Sequence, residues 1–179
     1  SVETIIRSKT PVDEEWLLQL MKKSLISLAC IHGMNVAHRD IKPANMIDTG
    51  HDVIYIDFGF SCFTTSSNEP VREKCTETMK GTPYYISPEE IVHKVKFENT
   101  DVYKKSDIWS LGVVFFQLAN GKRPFRGSTK KELYEDITNH LIAESTYPNK
   151  FVNRVIGYMM TPDPLERPNA IDIIDMLKK

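Results

Sequence analysis

A mostly α-helical α+β domain, with one small β-hairpin and one long polar loop, is the fold class this sequence predicts. Three observations carry it. Apolar residues recur at three- and four-residue spacing in several segments. Two short apolar runs, Met46-Ile47 and Val53-Ile54-Tyr55-Ile56, flank the turn-forming Asp48-Thr49-Gly50. From Ser61 to Lys80 the pattern dissolves into polar residues such as Thr64-Thr65-Ser66-Ser67-Asn68-Glu69-Pro70, and structureless loops of that length are commonly functional or mobile.

The first helix is expected to open at Thr10 as N-cap, with Pro11 at the first helical position and Asp13 completing the capping pattern. Leu17, Leu20, Met21, Leu25, Leu28 and Ile31 then mark one apolar face, and Gly33 is a natural stop. A second helix, Ser106 to Ala119, is apolar around most of its circumference and belongs in the centre of a core. Asn120-Gly121 ends it. Thr129-Lys130-Lys131-Glu132 is a capping box that opens a helix to about Ile142. Helical spacing returns over Lys150–Met160 and Ala170–Leu177.

Length and charge narrow the function. The chain has 179 residues, enough for one domain or one lobe of a larger one. Its 41% hydrophobic, 26% charged and 9% aromatic residues exclude a disordered or fibrous chain. With 23 basic and 24 acidic residues the net charge is −1, so no overall field marks a nucleic-acid or membrane binder. The most apolar stretch, Ile108 to Ala119, is too short to span a bilayer. Cys30, Cys62 and Cys75 form no CxxC pair, and an odd number without a signal peptide predicts reduced, intracellular thiols. The opening Ser1 fits a chain processed or excised from something longer.

The chemistry concentrates in His38-Arg39-Asp40-Ile41-Lys42-Pro43-Ala44-Asn45 and in Asp57-Phe58-Gly59. Asp40, Lys42 and Asn45 share a loop between a helix and the hairpin, and Asp57 emerges at the hairpin's far end. Two carboxylates, an amide oxygen and an ammonium converge there. Such a hard-oxygen set suits Mg²⁺, which takes one or two carboxylates plus substrate phosphates. The HExxH and Cys/His zinc spacings are missing, and without a G-x-S-x-G elbow a serine hydrolase fits poorly. Taken singly, His38 reads as a packed core histidine, Glu89 and Arg167 as surface charges, and Asp107 as a helix N-terminal charge. Cys62, three residues past Gly59, reads as an ordinary thiol before a redox-sensitive one near the metal site, since nothing in the sequence fixes its exposure.

His38–Asn45 followed by Asp57-Phe58-Gly59 resembles the catalytic loop and metal-binding motif of eukaryotic-type serine/threonine protein kinases. Three further segments strengthen the resemblance. Gly81-Thr82-Pro83-Tyr84-Tyr85-Ile86-Ser87-Pro88-Glu89 looks like the end of an activation segment, with Ser87 where most members have alanine. Asp107-Ile108-Trp109-Ser110-Leu111-Gly112 resembles the start of the family's buried central helix, and Glu166-Arg167-Pro168 its late arginine.

The resemblance implies ATP-dependent phosphoryl transfer to Ser or Thr hydroxyls of a protein substrate, with Mg²⁺. Asp40 would be the base that accepts and orients the hydroxyl, Lys42 would neutralise the γ-phosphoryl group, and Asn45 and Asp57 would hold the metal. Ile47 would form the floor under adenine. Lys42 and Thr82 resemble the Ser/Thr branch of the family, Thr82 closing the site near Asp40 and Lys42. Arg39 would meet a phosphate on the activation segment, placed on Thr78 with Thr76 as a substitute. His38 and Phe58 would pack together, Glu89 and Arg167 would form a buried ion pair, and Asp107 would cap the catalytic loop's backbone.

By the same resemblance residues 1–179 are the C-terminal lobe of a kinase domain, with a catalytic loop over 38–45 and an activation segment over 57–89. Only 37 residues precede His38, so the N-terminal β-lobe is expected to be absent, and with it the glycine-rich phosphate loop. The lobe alone is expected to bind ATP poorly and to be nearly inactive, its partners being the missing lobe or a partner protein and the substrate. An intracellular location, cytoplasmic or nuclear, goes with this reading. The alternative is a non-catalytic, pseudokinase-like lobe that docks a partner; intact Asp40, Lys42, Asn45 and Asp57 favour catalysis.

Overall fold

A computed structural model of the protein describes residues 1–8, 12–64, 75, 81–92 and 101–178. Its helices are α1 (Val2–Ser8), α2 (Glu14–Gly33), α3 (Pro88–Val92), α4 (Val102–Asn120), α5 (Lys130–Thr138), α6 (Lys150–Met159) and α7 (Ala170–Met176). Two antiparallel strand pairs accompany them. One joins β2 (Met46–Asp48) to β3 (Val53–Tyr55), with Ile47 opposite Ile54. The other joins β1 (Val36–Ala37) to β4 (Cys62–Phe63).

The core is built on α4. Ile108, Trp109, Leu111, Val113, Val114 and Phe115 are all fully shielded, as expected of a helix apolar on every side. It packs on α6, and Gly112 sets how closely. A Cβ there would lie 2.9 Å from Met159 Cβ and Met160 Cγ, so only glycine permits the approach. The helix begins four residues before the predicted Ser106. It ends at Gly121, whose left-handed φ of 63° lets its N–H return to the Gln117 carbonyl at 2.9 Å.

The long helix α2 buries Leu17, Leu20, Met21, Leu25 and Leu28 against α7 and β3. Its start corrects the sequence expectation. Asp13, not Thr10, is the N-cap, its carboxylate accepting the Trp16 N–H at 3.0 Å. Thr10 and Pro11 lie outside the described residues. The left-handed residue after this helix is Asn35 (φ 57°), a residue type that tolerates the region.

At α5 the predicted capping box is present: Thr129 accepts the Glu132 N–H and Glu132 accepts the Thr129 N–H, both at 3.2 Å. The helix stops at Thr138 rather than near Ile142, because His140 turns left-handed (φ 55°). Asn149 and Asn169 cap α6 and α7 with their side-chain oxygens. α1, α3 and the β1–β4 pair had no periodic signal.

The cysteines also correct the sequence reading. Cys62 and Cys75 are disulfide-bonded across a Cα–Cα distance of 4.8 Å, and Cys30 is the free, exposed thiol. Spacing along the chain could not show this, because the bond spans 13 positions.

Candidate active site

The loop that follows β1 is anchored by the central helix. Asp107 of α4 turns its carboxylate onto the backbone of that loop, accepting the N–H of His38 and of Arg39 at 2.8 Å each. His32 Nε2 lies 2.9 Å from the same carboxylate. Those two bonds hold Arg39 in the left-handed region (φ 65°), costly for a residue with a Cβ. The turn aims the next side chain, Asp40, inward.

Asp40 is 5% exposed and receives four side-chain-directed hydrogen bonds. Oδ1 accepts from the Thr82 N–H (3.1 Å) and the Thr82 hydroxyl (3.0 Å). Oδ2 accepts from Lys42 Nζ (2.6 Å) and Asn45 Nδ2 (3.1 Å). Lys42 also donates to the Thr82 hydroxyl oxygen at 3.1 Å, closing a ring of three side chains. A carboxylate removed from water needs such partners, and charge-assisted bonds are roughly twice as strong as neutral ones. Asn45 further donates to the Asp40 carbonyl at 3.0 Å, which tightens the 3-10 turn Pro43–Asn45.

Thr82 reaches this ring from 42 positions away because Gly81 precedes it. Gly81 has φ 103°, and a Cβ there would lie 2.8 Å from the Arg39 carbonyl oxygen. Any side chain would hold the two segments apart. Behind Thr82, α3 is tied down by a buried ion pair. Arg167 is fully buried and forks onto Glu89 at 2.7 and 3.0 Å, while Ser106 donates to the same carboxylate at 2.9 Å. The guanidinium's remaining donors reach the carbonyls of Thr161, Lys105 and Pro162.

The hairpin delivers Asp57. The Ile56 N–H donates to the Asn45 carbonyl at 3.0 Å, so the strand's exit runs beside the loop's end. Asp57 is exposed and left-handed (φ 64°), with Oδ1 accepting the Gly59 N–H at 3.3 Å. With Asn45 Nδ2 committed to Asp40, its amide oxygen is the atom left for a cation. Asn45 and Asp57 could then offer two oxygen ligands, a set that would fit Mg²⁺ taking its other ligands from phosphates and water. Among the described residues no cluster of three His, Cys, Asp or Glu side chains forms a closed metal cage.

His38 sits fully buried beneath Phe58, ring centroids 4.7 Å apart, and Phe58 is 45% exposed. Nδ1 accepts the Asp40 N–H (3.3 Å) and Nε2 lies 3.1 Å from the Ile56 carbonyl, which assigns the proton of a neutral ring to Nε2. Ile47 stands on the outer face of the hairpin with Ile54 and Ile56, all exposed, beside Asp57.

Arg39 is where the sequence was least informative. Its guanidinium lies over the Tyr103 ring at 4.4 Å and bonds Glu90 at 3.3 Å. Burial pushes the Glu90 carboxyl up to about 7 against the pull of Arg39. Neither Glu90 nor Tyr103 was singled out in the sequence; the doubled acid after Ser87-Pro88 was the one available signal. Thr78 and Thr76 lie outside the described residues.

Against known proteins, the model of the protein kinase domain matches residues 1–177. Serine/threonine-protein kinase KIC1 of Saccharomyces cerevisiae is 31% identical over 167 residues, covering 91% of this chain and 14% of that protein. Putative serine/threonine-protein kinase A of Trypanosoma brucei brucei is 31% identical over 166 residues, 91% of this chain and 36% of the relative. Probable serine/threonine-protein kinase nek2 of Dictyostelium discoideum is 30% identical over 172 residues, 93% and 38%. The chain therefore spans well under half the length of these relatives. Its helical architecture is that of a kinase C-terminal lobe, and among the described residues there is no full N-terminal sheet lobe. A match that runs from the first residue to Lys178's neighbour Leu177 leaves no other assignment: the chain belongs to the protein kinase family.

Proposed function

We propose that this chain is the lobe of a serine/threonine protein kinase that binds substrate and metal, transferring the γ-phosphoryl group of ATP to Ser or Thr hydroxyls once a complete kinase domain is assembled. The observation that carries the reading is the Asp40 carboxylate, held in a ring with Lys42 and Thr82 and bonded by Asn45 as well. In a loose phosphoryl-transfer transition state, positioning and charge stabilisation do most of the work. Asp40 orients the incoming hydroxyl and accepts its proton. Lys42, tethered between Asp40 and Thr82, places an ammonium on the side where phosphate oxygens gather negative charge. Mg²⁺ held by the Asn45 amide oxygen and Asp57 would neutralise charge on those oxygens. Thr82 narrows the approach to Asp40 and so favours a short alcohol side chain.

The exposed apolar strip of Ile47, Ile54, Ile56, Phe58 and Phe60 supports the rest of the reading. Ile47 offers a floor for an adenine ring, and the remainder offers a surface for an N-terminal lobe or a partner protein. That strip also supports the second reading, a pseudokinase-like docking lobe. A nucleotide resting on one open wall keeps water at its phosphates, which weakens every electrostatic contact there. We expect the 179-residue chain alone to bind Mg-ATP weakly. No helix of the described residues is long and apolar enough to cross a membrane, and a compartment that supplies ATP, cytoplasmic or nuclear, fits the proposed chemistry. The experiment is to join the chain to a kinase N-terminal lobe and assay phosphoryl transfer from ATP to Ser, Thr and Tyr peptides. Transfer to Ser and Thr that is lost in Asp57→Ala supports the proposal. A joined protein that binds Mg-ATP yet transfers nothing favours the docking reading.

A further inference from the structure

The β1–β4 pair is two residues long on each side, far below what holds together unaided. It nevertheless forms the base of the catalytic loop: Ala37, opposite Cys62 in the ladder, is the residue immediately before His38. The Thr64 N–H adds one bond to the Asn35 carbonyl at 2.8 Å. The Cys62–Cys75 bond ties β4 to residue 75 beside the pair. Its sulfurs pack with Ala37 and Tyr103 in a small cluster separate from the main core, and the Tyr103 ring in turn carries the Arg39 guanidinium. Cys62 is buried, whereas Cys75 is partly exposed.

We propose that Cys62 and Cys75 form a reversible redox clamp on the catalytic loop, closed as the disulfide and opened by a dithiol. Exposed disulfides are the labile ones, and in a compartment where thiol buffers prevail a disulfide is characteristically transient. The inference rests on the proposed function only for that compartment. In the opening step a dithiol's thiolate attacks Cys75 Sγ and Cys62 leaves as thiolate. The reagent's second thiol then displaces Cys75. Cys62 and Cys75 end as two thiols and the reagent as its cyclic disulfide, with two electrons and two protons transferred. Oxidised glutathione closes the clamp by the reverse exchange. Opening frees β4 from its tie to residue 75 and loosens the Ala37–Tyr103 cluster beneath Arg39.

The test uses the 179-residue chain in oxidised and in reduced glutathione, read by thiol alkylation with peptide mapping and by amide hydrogen exchange. We expect a Cys62–Cys75 peptide in the oxidising buffer that dithiothreitol opens while the chain stays folded. Protection at residues 36–39 and 62–64 should then fall by about tenfold to a hundredfold, the range set by cross-linking a loop of this length. Cys75→Ser in oxidising buffer should reproduce the reduced pattern, and Cys30→Ser the wild-type one. The absence of that peptide, a bond that opens only after denaturation, or equal protection in both states would overturn the proposal. No readout needs nucleotide, so failure of the phosphoryl-transfer reading leaves this result interpretable, and the reverse also holds.

Discussion

Removing the Glu89 carboxylate strands a fully buried guanidinium. In Glu89→Ala, Arg167 loses both forked bonds, at 2.7 and 3.0 Å, while Ser106 keeps only the Val102 carbonyl as acceptor. Breaking one side of a buried pair costs about 3–5 kcal/mol. The carbonyls of Thr161, Lys105 and Pro162 still receive Arg167, which keeps the expectation toward the lower end of that range. Against a total stability of about 5–15 kcal/mol this is a large fraction, and the melting temperature should fall by about 6–15 °C. Urea denaturation of the 179-residue chain, followed by circular dichroism, gives the number. The double variant Glu89→Leu with Arg167→Met removes both charges and should recover part of the loss. It should stay about 1–3 kcal/mol below wild type, since the three carbonyls lose their donor. A single-variant loss below about 1 kcal/mol, or a double variant no better than the single, would refute the idea that this pair ties α3 to the helical core.

Asp107→Ala leaves the N–H groups of His38 and Arg39 without their acceptor, and two orphaned buried donors should cost about 2–6 kcal/mol in chemical denaturation; a loss under about 1 kcal/mol would contradict the anchoring role. Glu90 predicts a pH dependence. Its carboxyl titrates at about 7 in the fold against 4.5 unfolded, because burial disfavours the charged form. The folded state then holds more protons between those values, so this contribution is complete below about 4.5 and lost as pH rises through about 7. It amounts to about 3 kcal/mol. Stability measured from pH 4.5 to 7.5 should fall less steeply in Glu90→Gln, and an unchanged slope would count against it. Thr82→Ala in an assembled kinase domain should slow transfer about tenfold to a hundredfold by removing one charge-assisted bond to Asp40, with Thr82→Ser restoring most of the rate; equal rates in all three would sink the positioning role.

Much of this molecule is legible locally. The spacing of Leu17, Leu20, Met21, Leu25 and Leu28 marks α2, the all-round apolar surface of α4 marks the centre, and Thr129 with Glu132 marks the start of α5, because each signal lies within a few turns of helix. The meeting of Asp40, Lys42 and Asn45 is legible for the same reason: all three lie within positions 40–45. The features that escaped are long-range or conformational. Glu90 on Arg39 spans 51 positions and Cys62–Cys75 spans 13, and nothing periodic announces either. Arg39 and Asp57 turn left-handed against their intrinsic preference, and His140 shortens α5 the same way. At Arg39 the turn is imposed by a distant group, the Asp107 carboxylate.

The Asp40 carboxylate, closed in a ring with Lys42 and Thr82, is the group on which the proposed chemistry rests. Asp40→Asn keeps the side chain's size but supplies no base, so in an assembled kinase domain it should lower the rate of phosphoryl transfer to a serine peptide by about 10²–10⁴-fold while Mg-ATP still binds. A variant that turns over like the wild type would contradict the assignment of Asp40 as the group that receives the substrate's proton.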